Sequence, residues 1–121
     1  MAVTEGIRML FVSIALVALP TQGIGASYPA ATREGAVERR RCMTRYTVSS
    51  ADPLAKIASF YRDQAATAQV PLLDDSDSKF SKYRTLVFVR QPRFLDVVLT
   101  RENGRTMVRV AYHLTMPPGC K

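Results

Sequence analysis

Residues 86–114 read LVFVRQPRFLDVVLTRENGRTMVRVAYHL, and the turns in this stretch decide the fold. Asn103 and Gly104 predict a two-residue hairpin turn, because a type I′ turn needs positive φ at both central residues. This turn fixes which residues of the flanking strands lie opposite each other. The pairs that it predicts on one face are Leu99 with Val108, Val97 with Val110 and Leu95 with Tyr112. Since all of these side chains are mainly apolar, this face is expected to be buried.

A second turn at Gln91 and Pro92 adds a third strand. The pairs that it predicts are Phe88 with Leu95 and Leu86 with Val97. The third strand therefore places its apolar residues on the same face as the hairpin. A slip of one residue in either pairing would move those residues to the other face, so the two turns support each other. Together they predict a three-stranded antiparallel meander.

A strand and a helix are predicted before the meander. Residues 42–49 (CMTRYTVS) alternate in polarity, which is typical of a short strand. Asp52 is expected to cap a helix that has Pro53 at its first position. The helix should end near Ala68. Its apolar stripe comprises Leu54, Ile57, Ala58, Tyr61 and Ala65.

Residues 9–19 (MLFVSIALVAL) form one apolar run that follows Arg8 and ends before Pro20. This layout is typical of a secretory signal peptide. The run is shorter than the roughly 20 apolar residues of a membrane-spanning helix. We predict cleavage after Ala26, with Ile24 and Ala26 as the residues that the peptidase reads, and a periplasmic or secreted location.

The two cysteines of the chain, Cys42 and Cys120, are expected to form a disulfide in an exported protein. This bond would bring the start of the first strand near the end of the last. The simplest solution runs those two strands antiparallel and adjacent, in the spatial order 1-4-3-2. A topology with the first strand parallel to the last remains open.

The predicted fold class is α+β, a two-layer β-α-β-β-β arrangement with one amphipathic helix packed on a mainly antiparallel four-stranded sheet. The predicted organisation is a signal peptide at 1–26, a flexible basic arm at 27–41 and a single small α+β domain at 42–121. Residues 27–41 (SYPAATREGAVERRR) have no apolar period, which favours disorder. Residues 71–82 (PLLDDSDSKFSK) read as a polar loop, whose acidic spacing lacks the glycine and glutamate of a calcium site.

The opposite face of the meander is too apolar for a surface that only meets water. Its predicted interaction surface comprises Val87, Val89, Phe94, Asp96, Val98, Met107, Arg109 and His113. Asp96 is expected to form an ion pair with Arg109 on the neighbouring strand. Either this face is covered by the 27–41 arm or the 71–82 loop, or it is open to a partner.

The chain carries 17 basic and 10 acidic residues, a formal net charge of +7. For an exported protein the polyanions that such a charge could attract are anionic envelope surfaces and acidic proteins rather than nucleic acid. The favoured interpretation is that the net charge only keeps the domain soluble. The single histidine, His113, stands near Asp96 without a visible nucleophile, so no catalytic activity, cofactor or metal is predicted. We expect a protein-interaction domain that uses the second sheet face or an edge strand. The alternative is a binder of lipopolysaccharide or anionic lipid through Arg39, Arg40, Arg41 and Arg45.

Overall fold

The computed structural model describes residues 17–77 and 82–114. The strands are β1 (Thr32–Arg33), β2 (Glu38–Arg40), β3 (Met43–Ser50), β4 (Leu72–Asp77), β5 (Tyr83–Arg90), β6 (Arg93–Glu102) and β7 (Arg105–Leu114). One helix, α1 (Leu54–Thr67), connects β3 to β4. All strand pairs are antiparallel, in the order β1-β3-β7-β6-β5-β4, and β2 also pairs with β3.

The predicted fold class is wrong, because the described chain is mostly β. Over residues 17–77 and 82–114, seven antiparallel strands form one sheet with a single helix, rather than a two-layer arrangement with a four-stranded sheet. The three additional strands are short and polar, so they carry no apolar period. They form because the outer strands β3 and β5 offer backbone N–H and C=O groups that need partners.

The predicted register of the meander is confirmed. Leu99 pairs with Val108 and Val97 with Val110, and β5 pairs with β6 in the predicted register. Asn103 and Gly104 have φ values of 52° and 76°, as the hairpin turn requires. The predicted neighbour relation is also observed, since β3 runs antiparallel beside β7, which excludes the parallel alternative.

The 27–41 segment is ordered against β3, so the prediction of a flexible arm is wrong. Both β1 and β2 pair with β3. Tyr28 and Val37 are buried in the core. The Tyr28 hydroxyl donates a hydrogen bond to Asp52, and this bond, with burial, raises the pKa of Tyr28 to about 12. Two apolar anchors thus order a segment whose other residues are polar.

The prediction of a loop over 71–82 is wrong for residues 72–77, which form the edge strand β4. Residues 78–81 lie outside the described ranges. Arg84 donates two hydrogen bonds of 2.9 Å to the two carboxylate oxygens of Asp75. This pairing lowers the pKa of Asp75. The acidic residues of this segment therefore serve in part to fix the edge strand on β5.

The predicted stripe of α1 is confirmed, since all five of its residues are buried. The predicted cap is wrong: Pro53 occupies the N-cap position, with no side-chain cap hydrogen bond. The Asp52 carboxylate instead accepts the Tyr28 hydroxyl and lies 3.6 Å from Lys56 Nζ. A partner distant in sequence has therefore taken the carboxylate that local patterning assigned to the helix.

The helix packs on one face of the sheet, which we call the covered face. Its residues are Tyr46, Val48, Leu86, Phe88, Leu95, Val97, Leu99, Val108 and Val110. Each of them has at most 2% of its surface exposed. Burial of this apolar face is the main source of stability in the domain.

The predicted disulfide involves Cys120, which lies outside the described residues. Cys42 is not a free cysteine. Its carbonyl oxygen accepts a 2.8 Å hydrogen bond from the Leu114 N–H group, so the end of β7 lies beside Cys42. The pairing with Cys120 remains a prediction. Most of the predicted signal sequence, residues 1–16, also lies outside the described ranges.

Candidate functional site: the open face of the sheet

The face opposite the helix, which we call the open face, contains all eight residues of the predicted interaction surface. The strand register brings them together. The observed pairs are Val87 with Asp96, Val89 with Phe94, Phe94 with His113 and Val98 with Arg109, and Met107 is opposite Thr100. Most of these side chains are half-buried, and Arg109 is exposed. This arrangement follows from the alternation of side chains along each strand.

Neither segment that was expected to cover this face does so within the described ranges. The strands β1, β2 and β4 lie in the sheet itself and extend it sideways. One corner is closed: the Ser49 hydroxyl donates a 2.7 Å hydrogen bond to Glu34 and accepts one of 3.2 Å from Arg105. The apolar centre of the open face is therefore available in the described part of the chain.

A depression of about 160 Å³ lies at the centre of the open face. It is lined by Arg45, Asp96, Val98, Arg109, Val110 and Ala111. Burial raises the pKa of Asp96, while the nearby His113 ring opposes that shift. The carboxylate is therefore partly desolvated, and its strand neighbours Val87 and Ala111 are apolar.

The predicted ion pair between Asp96 and Arg109 is not present among the ion pairs of the described residues. The two residues lie diagonally on adjacent strands, as expected. Arg109 is exposed, whereas Asp96 is half-buried. A partly desolvated carboxylate and an exposed guanidinium thus lie side by side without neutralising each other.

His113 packs edge to face with Phe94, with ring centroids 5.7 Å apart and an angle of 87° between the planes. This contact holds the ring at one end of the open face. The arrangement places Asp96 near the histidine, and their neighbours on the described strands, namely Met43, Val87, Phe94 and Ala111, include no nucleophilic side chain. Within the described ranges, no group of three or more histidine, cysteine, aspartate or glutamate residues could hold a metal ion.

Two of the four arginines of the alternative anion-binding site form ion pairs with Glu38. Its carboxylate lies 3.0 Å from Arg40 and 2.7 Å from Arg45. Both arginines, Arg45 first, lower the pKa of Glu38. Arg39 and Arg41 are exposed on and after β2. The predicted basic cluster therefore contains an internal counter-charge.

A larger cavity, of about 520 Å³, lies on the other side of the molecule. It is lined by the 21–26 segment and by α1, with Phe60, Asp63 and Gln64 among its residues. Its walls therefore include residues of the predicted signal peptide. Because processing would remove part of the cavity, the open face is the better candidate for a site of the exported protein.

Sequence reasoning missed two residues that belong to the open face, namely Arg45 and Thr47. Arg45 was assigned only to anion binding. The signal was present in the alternation of residues 42–49, which puts Arg45 and Thr47 on one face of the strand. Extending the meander register to this strand would have placed Arg45 opposite Ala111, as observed.

No protein-family model, curated protein or solved structure matches this chain. Over residues 17–77 and 82–114, no helix combines the length and apolar character needed to span a membrane.

Proposed function

We propose that the protein is an exported, non-catalytic binding domain whose open face docks another protein. The observation that supports this most directly is the apolar centre of that face, with its depression around Asp96. An apolar surface with a polar rim is typical of an interaction site. Export is supported by the apolar run at 9–19, which follows a basic residue.

The charges of the domain indicate what kind of protein the partner is. A net charge of +7 opposes close association of two copies and favours an acidic protein. Arg109 is exposed next to the apolar centre, where it can meet a carboxylate of that partner. The partly desolvated carboxylate of Asp96 lies between Val87 and Ala111. A partner that covers it must supply a hydrogen-bond donor, because a buried carboxylate without one is unfavourable. The partner is therefore an acidic envelope protein with an apolar patch that carries one donor group.

Single glutamate substitutions on the open face test this proposal. The exported protein, immobilised, is used to capture proteins from an envelope extract of its own cell, and the affinity of the purified captured protein is then measured. V98E and R109E are expected to weaken binding at least about tenfold, since they add negative charge opposite an acidic partner. A55E is the matched control, because Ala55 is an exposed apolar residue of α1, the helix that packs on the opposite face of the sheet.

Three results would contradict the proposal. A captured protein that binds V98E and R109E as tightly as the unmodified chain would show that another surface is used. A dimer in sedimentation equilibrium that V98E dissociates would identify a second copy as the occupant. Binding to vesicles of anionic lipid that is lost when Arg39 and Arg41 are replaced by glutamate would favour the alternative function.

A further inference from the structure

The segment Ile24–Tyr28, which contains the predicted cleavage point after Ala26, is built into the folded domain. Gly25 and Ala26 are buried. Ile24 is partly buried against the core. Residues whose contacts the exported domain needs are expected to stay with it after the leader is removed. The packing of this segment therefore bears on where the leader ends.

Gln64 on α1 binds this segment through both ends of its amide. The Gly25 N–H group donates a 2.7 Å hydrogen bond to Gln64 Oε1. Gln64 Nε2 donates one of 3.0 Å to the Ala26 carbonyl oxygen. A two-point contact of this kind fixes the position of the segment along the helix, and removal of residues 24–26 would leave both ends of the amide without these partners.

The buried tyrosines extend the same contact. The Tyr46 hydroxyl donates a 2.8 Å hydrogen bond to the Gly25 carbonyl oxygen and lies 3.2 Å from the Tyr61 hydroxyl. Tyr61 in turn accepts a 3.1 Å hydrogen bond from the Tyr28 N–H group. Burial raises the pKa of Tyr46 well above its usual range. A buried hydroxyl that loses an acceptor destabilises the fold, so Gly25 is a structural part of the domain.

Gly25 also has the conformation and the space that only glycine suits. Its φ is +83°, and a Cβ atom at this position would lie 3.3 Å from Tyr112 Cβ. Val17 and Leu19 also pack against the core, and the Pro20 carbonyl oxygen accepts a 2.8 Å hydrogen bond from the Ser27 N–H group. Leu19 nevertheless ends the apolar run that an exported chain needs in its leader, so the cut falls after it. Of the residues that follow this run, Thr21, Gln22 and Gly23 are exposed, and the integral segment starts at Ile24.

We infer that the leader is removed between Gly23 and Ile24, so that the exported chain keeps Ile24, Gly25 and Ala26. The inference rests on the proposed export of the protein. The sequence is compatible, because Thr21 and Gly23 give the small residues that a signal peptidase reads, whereas a cut after Ala26 would use the larger Ile24. The new amino terminus would form in the cavity that Asp63 also lines, which places a positive charge near a carboxylate.

The test is the identity of the first residue of the full-length gene product after expression in its own cell. Intact mass and amino-terminal sequencing of the envelope and medium fractions are expected to give Ile24. In an exported chain, any first residue other than Ile24, Ser27 included, would overturn the inference while leaving export intact. A chain found only in the cytoplasm with residue 1 retained would overturn the proposed export and the inference together.

A matched pair of variants gives a second, independent measurement. In a short pulse of labelling, G23L is expected to lose most of the processed form, because it puts a bulky residue directly before the cut. A26L is expected to be processed like the unmodified chain. The ratio of precursor to processed chain is read within the pulse, so that later degradation of a misfolded product does not affect it. Accumulation of the A26L precursor with normal processing of G23L would overturn the inference.

Discussion

The two faces of the sheet are formed by the same strands, yet they differ in burial and charge. On the covered face, the helix excludes water from residues such as Leu95 and Val97, which have no exposed surface. On the open face, the intervening residues Phe94, Asp96 and Val98 are half-buried. Strand alternation separates the residues that stabilise the fold from those available for binding. Substitutions on the two faces should therefore have different consequences.

The largest contrast is expected between two phenylalanines. F88A should lower the free energy of unfolding by about 3–5 kcal/mol, because Phe88 is 1% exposed and its removal leaves a cavity in the core. F94A should cost about 1 kcal/mol, since Phe94 is half-buried and packs on His113. Urea denaturation of both variants measures the difference. Equal losses would contradict the assignment of the two faces.

The turn that sets the faces gives the next largest effect. G104A should lower stability by about 1–2 kcal/mol, because Gly104 has a φ of +76° that disfavours a residue with a side chain. No atom lies within 4 Å of the added Cβ, so the cost comes from the backbone. N103G is the control and should change stability by less than about 0.5 kcal/mol, since glycine readily adopts positive φ. A neutral G104A would argue against the turn type.

Replacing the Asp75 carboxylate, which binds Arg84 on β5, should cause a smaller loss of stability. D75N should lower stability by about 0.5–1 kcal/mol at neutral pH, because it removes the paired hydrogen bonds to Arg84 on a partly exposed edge. Arg84 lowers the folded pKa of Asp75. The contribution of Asp75 is therefore present above its unfolded pKa of about 4 and is lost as the pH falls through the folded pKa. Measured as a function of pH, the loss of unfolding free energy at acid pH should be smaller in D75N than in the unmodified chain.

The contribution of Asp96 to stability should depend on pH in the opposite direction to that of Asp75. Its replacement should have the smallest effect on the free energy of unfolding. Burial raises its pKa in the folded state, so its contribution is most favourable below the unfolded pKa of about 4 and falls as the pH rises through the folded pKa. D96N should leave stability at neutral pH unchanged or slightly higher, while weakening the proposed binding. A clear loss of stability in D96N would mean that the carboxylate serves the fold rather than a partner.

The meander was predictable because its information is local. The Asn103-Gly104 turn and the side-chain alternation set one register, and the pairs of Val97 with Leu86 and Val110 follow from it. The stripe of α1 was predictable for the same reason, since helical spacing is read from neighbours in the chain. The open face followed as the complement of the apolar face. Its location in the fold needed no long-range information.

The three short strands were not predictable in this way. Residues 38–40 (ERR) and 72–77 (LLDDSD) have no apolar alternation, and they pair because β3 and β5 present free backbone groups. Asp52 shows the same limit, because its carboxylate is taken by Tyr28 from another segment. The partner of Asp75 could not be named before β4 was known to lie beside β5.

The sequence by itself determined the meander, the helical stripe and the two sets of alternating residues, because each depends on contacts between residues close in the chain. Tertiary structure alone decided that residues 27–41 and 72–77 extend the sheet rather than cover its open face. It also decided that Gly25 and Ala26 pack on Gln64. These outcomes depend on which distant backbone groups and buried polar atoms still need hydrogen-bond partners once the core has formed. The pattern of neighbouring residues in the sequence does not contain this information.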